Sequence, residues 1–130
     1  MMPRQDPRPV NLSLRHFRFP PNAILSISHR VTGVLLVATL LGWLVWLNLV
    51  MFEPSRLPSH QAWLLSGAGK VFLSLFWLAL AFHWLAGLRH LLIEFCLNKR
   101  LTAFIRSESA VWLLLGLWFT LSLFALLRIW

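Results

Sequence analysis

The amino-acid sequence predicts an all-α integral membrane protein with three transmembrane helices, its N-terminus inside and its C-terminus outside. Three observations predict it. Apolar residues make up 58% of the 130-residue chain and charged residues only 12%, a balance foreign to ordinary soluble domains. The apolar residues gather in three runs, Val31–Phe52, Val71–Leu88 and Ala110–Leu127. Lysines and arginines divide unevenly between the two sides those runs define, and cytoplasmic loops carry the excess.

The elements follow in order. Residues 1–21 form a basic cytoplasmic arm, Arg-rich and carrying Pro3, Pro7 and Pro9, which suits an extended segment. Pro20 and Pro21 mark the start of the first helix, because a proline in the first turn lacks only an N–H that has no partner there. Residues 22–130 form the transmembrane domain, with helices at about 22–52, 62–95 and 108–129. The 22 residues from Val31 to Phe52 carry no charge. At about 1.5 Å per residue they cross a hydrocarbon core of roughly 30 Å. Glu53 to His60, with Pro54 and Pro58, reads as an outer loop. The second and third runs have 18 residues each, near the lower limit, and extend into uncharged flanks. Asn98 to Arg106 reads as an inner loop between them.

The net charge of +8 follows from orientation. Arg4, Arg8, Arg15, Arg18 and Arg30 precede or open the first span, and Arg89, Lys99, Arg100 and Arg106 lie around the inner loop. Only Arg56, Lys70 and Arg128 fall on the other side. Nucleic-acid binding is therefore not needed to explain the charge. The first span is too long for a signal-peptide core and is expected to stay in the mature protein. Cys96 is the lone cysteine, which excludes an intrachain disulfide and a Cys-x-x-Cys site; it reads as a small apolar residue near a helix end. Trp63, Trp112 and Trp130 suit the interfacial belt.

Two constellations carry chemistry. In S-I-S-H-R-V-T-G, Ser26 to Gly33, the helical step puts Ser26, Arg30 and Gly33 on one face with His29 beside them. A hydroxyl, a guanidinium and a close-approach glycine make a pocket for an oxygen-bearing ligand; the other reading is that Arg30 and His29 snorkel to headgroups. On the second helix, His83 lies within an apolar run and shares a side with Ala79, Ala86, Gly87 and His90. That small side leaves room for something flat beside an imidazole, as for a heme axial ligand, and it equally suits close helix packing around an interhelical histidine. His83 and His90 stand about 10 Å apart along the axis and do not share one iron. The first helix leaves the inner surface and the second returns to it, so both sets lie at one level of the membrane.

These residues resemble the cytochrome b membrane-anchor subunit of bacterial succinate dehydrogenase. The likeness rests on R-P-V-N-L (Arg8–Leu12), F-R-F-P (Phe17–Pro20), S-I-S-H-R-V-T-G (Ser26–Gly33) and A-F-H-W-L-A-G-L-R-H (Ala81–His90). The resemblance implies that His83 is the axial ligand of heme b, with a second ligand from a smaller hydrophobic anchor subunit. It implies that Ser26 and Arg30 bind ubiquinone, and it groups His29 and His90 with the heme site without a definite role for either. It also implies iron–sulfur and flavoprotein subunits, a place in the bacterial inner membrane among lipids, and no nucleic-acid partner. Succinate would be oxidised on the flavoprotein and electrons passed to a quinone held partly by this chain. The rival reading is a heme-free structural anchor. A transporter fits less well, since no span is broken by proline or carries a midplane carboxylate.

Overall fold

The computed structural model describes residues 19–95 and 98–130, so most of the basic arm, and Cys96, lie outside the described residues. The chain forms α1 (Pro21–Phe52), α2 (Leu57–Leu65), α3 (Gly67–Phe95), α4 (Lys99–Arg106) and α5 (Glu108–Ile129), with a 3-10 turn at Pro54–Arg56. Helices α1, α3 and α5 have 32, 29 and 22 residues and mean hydropathies of 2.3, 1.9 and 2.2, long and apolar enough to cross a membrane.

Local chemistry sets the boundaries. Pro20 is extended and its carbonyl accepts from the N–H groups of Ala23 and Ile24, at 2.9 and 3.3 Å, while Pro21 takes the first helical position. Glu53 ends α1 and pairs its carboxylate with Arg56 at 3.0 Å. Two junctions use one device. Ser66 and Ser107 are each extended, each donates its hydroxyl to the carbonyl three residues back, and each accepts from the N–H three residues ahead. Each serine thus ends one helix and caps the next.

Two segments expected as loops are helical. After the 3-10 turn, the outer connection winds into α2, and α3 opens at Gly67 because Ser66 breaks the helix there. The inner connection is α4, whose start is fixed by Asn98: its side-chain oxygen accepts from the N–H groups of Arg100 and Leu101, at 3.0 and 3.2 Å. On α4, Lys99, Thr102, Ala103 and Arg106 share one face and Leu101, Phe104 and Ile105 the opposite one.

Helix α3 packs on both α1 and α5, which touch each other less. Asn22 meets Arg89, Gly33 meets His83 and Gly42 approaches Phe72, a descending register that only antiparallel helices give. The buried core, Leu25, Phe82, Leu85, Ala86, Val111 and Leu114, lies where α1 begins, α3 ends and α5 begins. Trp118 seals it, its ring edge-on to Phe82 and its indole N–H on the Leu78 carbonyl at 3.1 Å. The opposite end holds an aromatic cluster of Trp43, Trp46, Trp63, Phe72 and Phe76. Much of the remaining apolar surface faces outward: Val34, Phe119 and Leu127 are 71%, 64% and 73% exposed, surface that lipid or partner helices cover.

Candidate functional site

The site is built where the first turns of α1 meet the last turns of α3. A cavity of about 290 Å³ opens there, lined by Asn22, Leu25, Ser26, His29, Arg30, Ala86, Arg89 and His90. Four of the five residues singled out from the sequence, Ser26, His29, Arg30 and His90, thus share one cavity. Ser26, Arg30 and His90 are exposed, and His29 is half-buried. No carboxylate is among the lining residues, so the cavity offers hydroxyl, amide, imidazole and guanidinium groups to a ligand that accepts hydrogen bonds or carries negative charge. A larger groove of about 550 Å³ runs between α3 and α5, walled by Trp77, Ala81, Trp84, Leu121 and Phe124, and holds none of the singled-out residues.

His83 does not line the cavity. It lies against the side of His29, half-buried, the two rings stacked with centroids 4.1 Å apart and planes 16° from parallel. Its Nδ1 is 3.0 Å from the main-chain oxygen of His29. A carbonyl can only accept, so Nδ1 carries the proton, and in the neutral ring Nε2 keeps the lone pair. A metal-ligating histidine is held in this tautomer, with its far nitrogen bonded to a carbonyl or carboxylate. His29 Nε2 is buried without a partner and faces Gly87, where an added Cβ would stand 3.2 Å away.

Two residues at the cavity mouth were given no role from the sequence. Arg89 donates from Nε to the Ile105 carbonyl at 3.1 Å and from a terminal nitrogen to Asn22 Oδ1 at 2.7 Å. Asn22 in turn donates to the Arg106 carbonyl at 3.3 Å. Arg89 and Asn22 therefore tie α1, α3 and the C-terminal end of α4 around the cavity mouth. Arg89 entered the sequence reading as a charge and as part of the Ala81–His90 motif, without a role, and Asn22 only as a helix start; polar residues at the ends of two antiparallel spans were the available signal.

The profile of the family described as succinate dehydrogenase/fumarate reductase transmembrane subunit matches residues 4–126. The chain belongs to this family. It is similar to the succinate dehydrogenase cytochrome b556 subunit of Coxiella burnetii (strain RSA 493 / Nine Mile phase I), at 40% identity over 88 residues, 67% of this chain and 70% of the relative. It is also similar to the succinate dehydrogenase cytochrome b556 subunit of Paracoccus denitrificans, at 37% identity over 89 residues, 67% of each chain. The expected anchor-subunit resemblance therefore holds, and with three spanning helices the family member is a multi-pass protein of the bacterial inner membrane. Among the described residues there is no group of three or more metal-ligating side chains. An axial heme ligand needs no such group from one chain, only an imidazole with a free nitrogen.

Proposed function

We propose that this chain is the membrane-anchor cytochrome b subunit of a succinate dehydrogenase, binding heme b through His83 and forming part of the ubiquinone-reduction site with Ser26 and Arg30. The observation that carries the reading is the cavity with Ser26 and Arg30 in its wall, beside an imidazole whose Nδ1 is fixed on a carbonyl. Held by His83, heme b would supply one-electron redox chemistry, with a potential set by axial ligands and burial.

The chain's own residues supply the rest. His83 presents Nε2 as a ligand, and a smaller hydrophobic anchor subunit supplies the second. Arg30 donates to a quinone carbonyl oxygen and stabilises the negative charge that develops as the ring is reduced, through charge-assisted hydrogen bonds in a low-dielectric setting. Ser26, one turn away on the same face, donates to the same oxygen or accepts a hydrogen bond from the quinol O–H. His29 and His90 line the route by which water reaches that oxygen from the cytoplasmic side. An iron–sulfur subunit docks at this end and receives electrons from the flavoprotein that oxidises succinate.

A dithionite-reduced minus oxidised visible spectrum of the native complex tests the heme assignment. Sharp b-type bands copurifying with flavin are expected, and His83→Ala should abolish them with membrane insertion intact. Flat spectra from an intact flavin-containing complex would leave a heme-free anchor. Ser26→Ala and Arg30→Ala should each lower quinone reduction by about tenfold to a hundredfold, as expected for removing a charge-assisted hydrogen bond worth about 1.5–3 kcal/mol. Electron transfer to a soluble artificial acceptor should persist; equal loss of both activities would indicate failed assembly.

A further inference from the structure

Helices α1 and α3 carry the same short pattern at their meeting point. His29 and Gly33 are four residues apart on α1, and His83 and Gly87 four apart on α3. The pairing is reciprocal: Gly33 faces the ring of His83, and Gly87 faces the ring of His29. A Cβ on Gly33 would stand 3.1 Å from His83 Cε1 and 3.4 Å from Nδ1. The first distance is tighter than ordinary contact, so the ring would have to give way by a few tenths of an ångström beside a methyl group. Its face lies against the His29 imidazole and its Nδ1 on the His29 carbonyl, so α1 holds His83 on three sides. Rotation of the ring would break the 3.0 Å bond.

That carbonyl has another suitor. Thr32 Oγ1 lies 3.0 Å from the His29 oxygen and 2.9 Å from the Ser28 oxygen, so its single proton is shared between them. Every donor on the His29 oxygen draws down the electron density available to the next.

We propose that Gly33 and Thr32 are positioning residues for His83: Gly33 clears the space its imidazole occupies, and Thr32 sets the strength of the Nδ1–H bond to the His29 carbonyl. The inference rests on the reading of His83 as the heme ligand. A stronger Nδ1–H bond makes the imidazole a better electron donor, which favours ferric over ferrous iron and lowers the midpoint potential. The two residues therefore act in opposite directions. Gly33→Ala displaces the ring, lengthens the bond and raises the potential. Thr32→Val keeps the side-chain volume but removes the competing donor, strengthens the bond and lowers the potential. Gly116 on α5 has open space around its Cα, so Gly116→Ala is the neutral comparison.

The experiment is a redox titration of the heme bands, with low-temperature EPR of the ferric form, in the purified complex carrying each variant. An upward shift for Gly33→Ala, a downward shift for Thr32→Val, and wild-type values for Thr32→Ser and Gly116→Ala would support the proposal. Wild-type potential and EPR in Thr32→Val would overturn it, as would a shift in Thr32→Ser equal to that of Thr32→Val. Should Gly33→Ala fail to assemble, Thr32→Val against Thr32→Ser decides alone. His83→Ala separates the two levels. An unchanged low-spin heme in that variant defeats the ligand reading itself, whereas heme loss there with unmoved Gly33 and Thr32 variants defeats only the positioning role.

Discussion

At the scale of single residues, Arg30 and Arg89 show why one charge type serves two ends. Both line the same cavity. Arg30 is exposed and lines the open cavity, whereas Arg89 is half-buried with its guanidinium directed onto Asn22 Oδ1 and the Ile105 carbonyl. The planar fork of arginine reaches both acceptors at once, which the single ammonium of lysine does not match in geometry. Arg89→Ala should therefore lower stability by about 1.5–3 kcal/mol, the range for hydrogen bonds to a charged group, and Arg89→Lys should recover less than the full loss. Thermal unfolding of the detergent-solubilised complex checks this; a lysine variant as stable as wild type would sink the bidentate argument. The sequence marked Ser26, His29, Arg30 and His90 because helical spacing and depth are legible in one dimension. It could not show that Arg89 is already engaged, because its partners lie 67 and 16 positions away. Nor could it show that His29 lies between the cavity and His83, which depends on the register of two helices.

At the scale of elements, the three spans were legible because hydropathy over 18 or more residues is an additive signal. The short helices were not. α2 and α4 have 9 and 8 residues, the first rich in polar side chains and carrying Pro58, and both are too short to show a repeated period. Their presence is decided by caps: Asn98 before α4, and Ser66 and Ser107 at the joints. The serine joint ends α4 and caps α5 with one side chain, pairing the Phe104 carbonyl and the Ala110 N–H. Ser107→Ala should cost about 1 kcal/mol, the usual loss for removing an N-cap hydroxyl, and Ser107→Asp should retain most of the stability. Gly69 marks the other joint, since a Cβ there would collide with the backbone of Trp63 and Leu64 in α2. Gly69→Ala should open the packing of α2 on α3 and raise protease cleavage between residues 57 and 69. Unchanged cleavage would mean that α2 yields without cost.

At the scale of the whole molecule, the site, the core and the short basic helix all gather at one end of the bundle, and the aromatic cluster holds the other. Charge follows the same division. Arg30 and Arg89 at the site end, with Lys99, Arg100 and Arg106 of α4, stand against Arg56, Lys70 and Arg128 at the far end. Insertion retains the Lys/Arg-rich side in the cytoplasm, so this asymmetry predicts a site end inside and a C-terminus outside. In that orientation the exposed Leu101 and Phe104 of α4 would lie against the bilayer edge, with the Lys99 and Arg106 face towards anionic headgroups. On the proposed function, it would also set the cavity mouth towards the compartment in which succinate is oxidised and from which protons for quinol come. Reporter fusions test the arrangement directly: a phosphatase that folds only outside the cytoplasm should be active after Trp130 and within residues 57–66, and inactive at Asn98. The reverse pattern would put the cavity on the outer face and remove it from any cytoplasmic electron donor. Adding lysines to the 53–60 segment should weaken the bias and produce mixed topology, because orientation depends on the difference in charge between the two sides and not on any one residue.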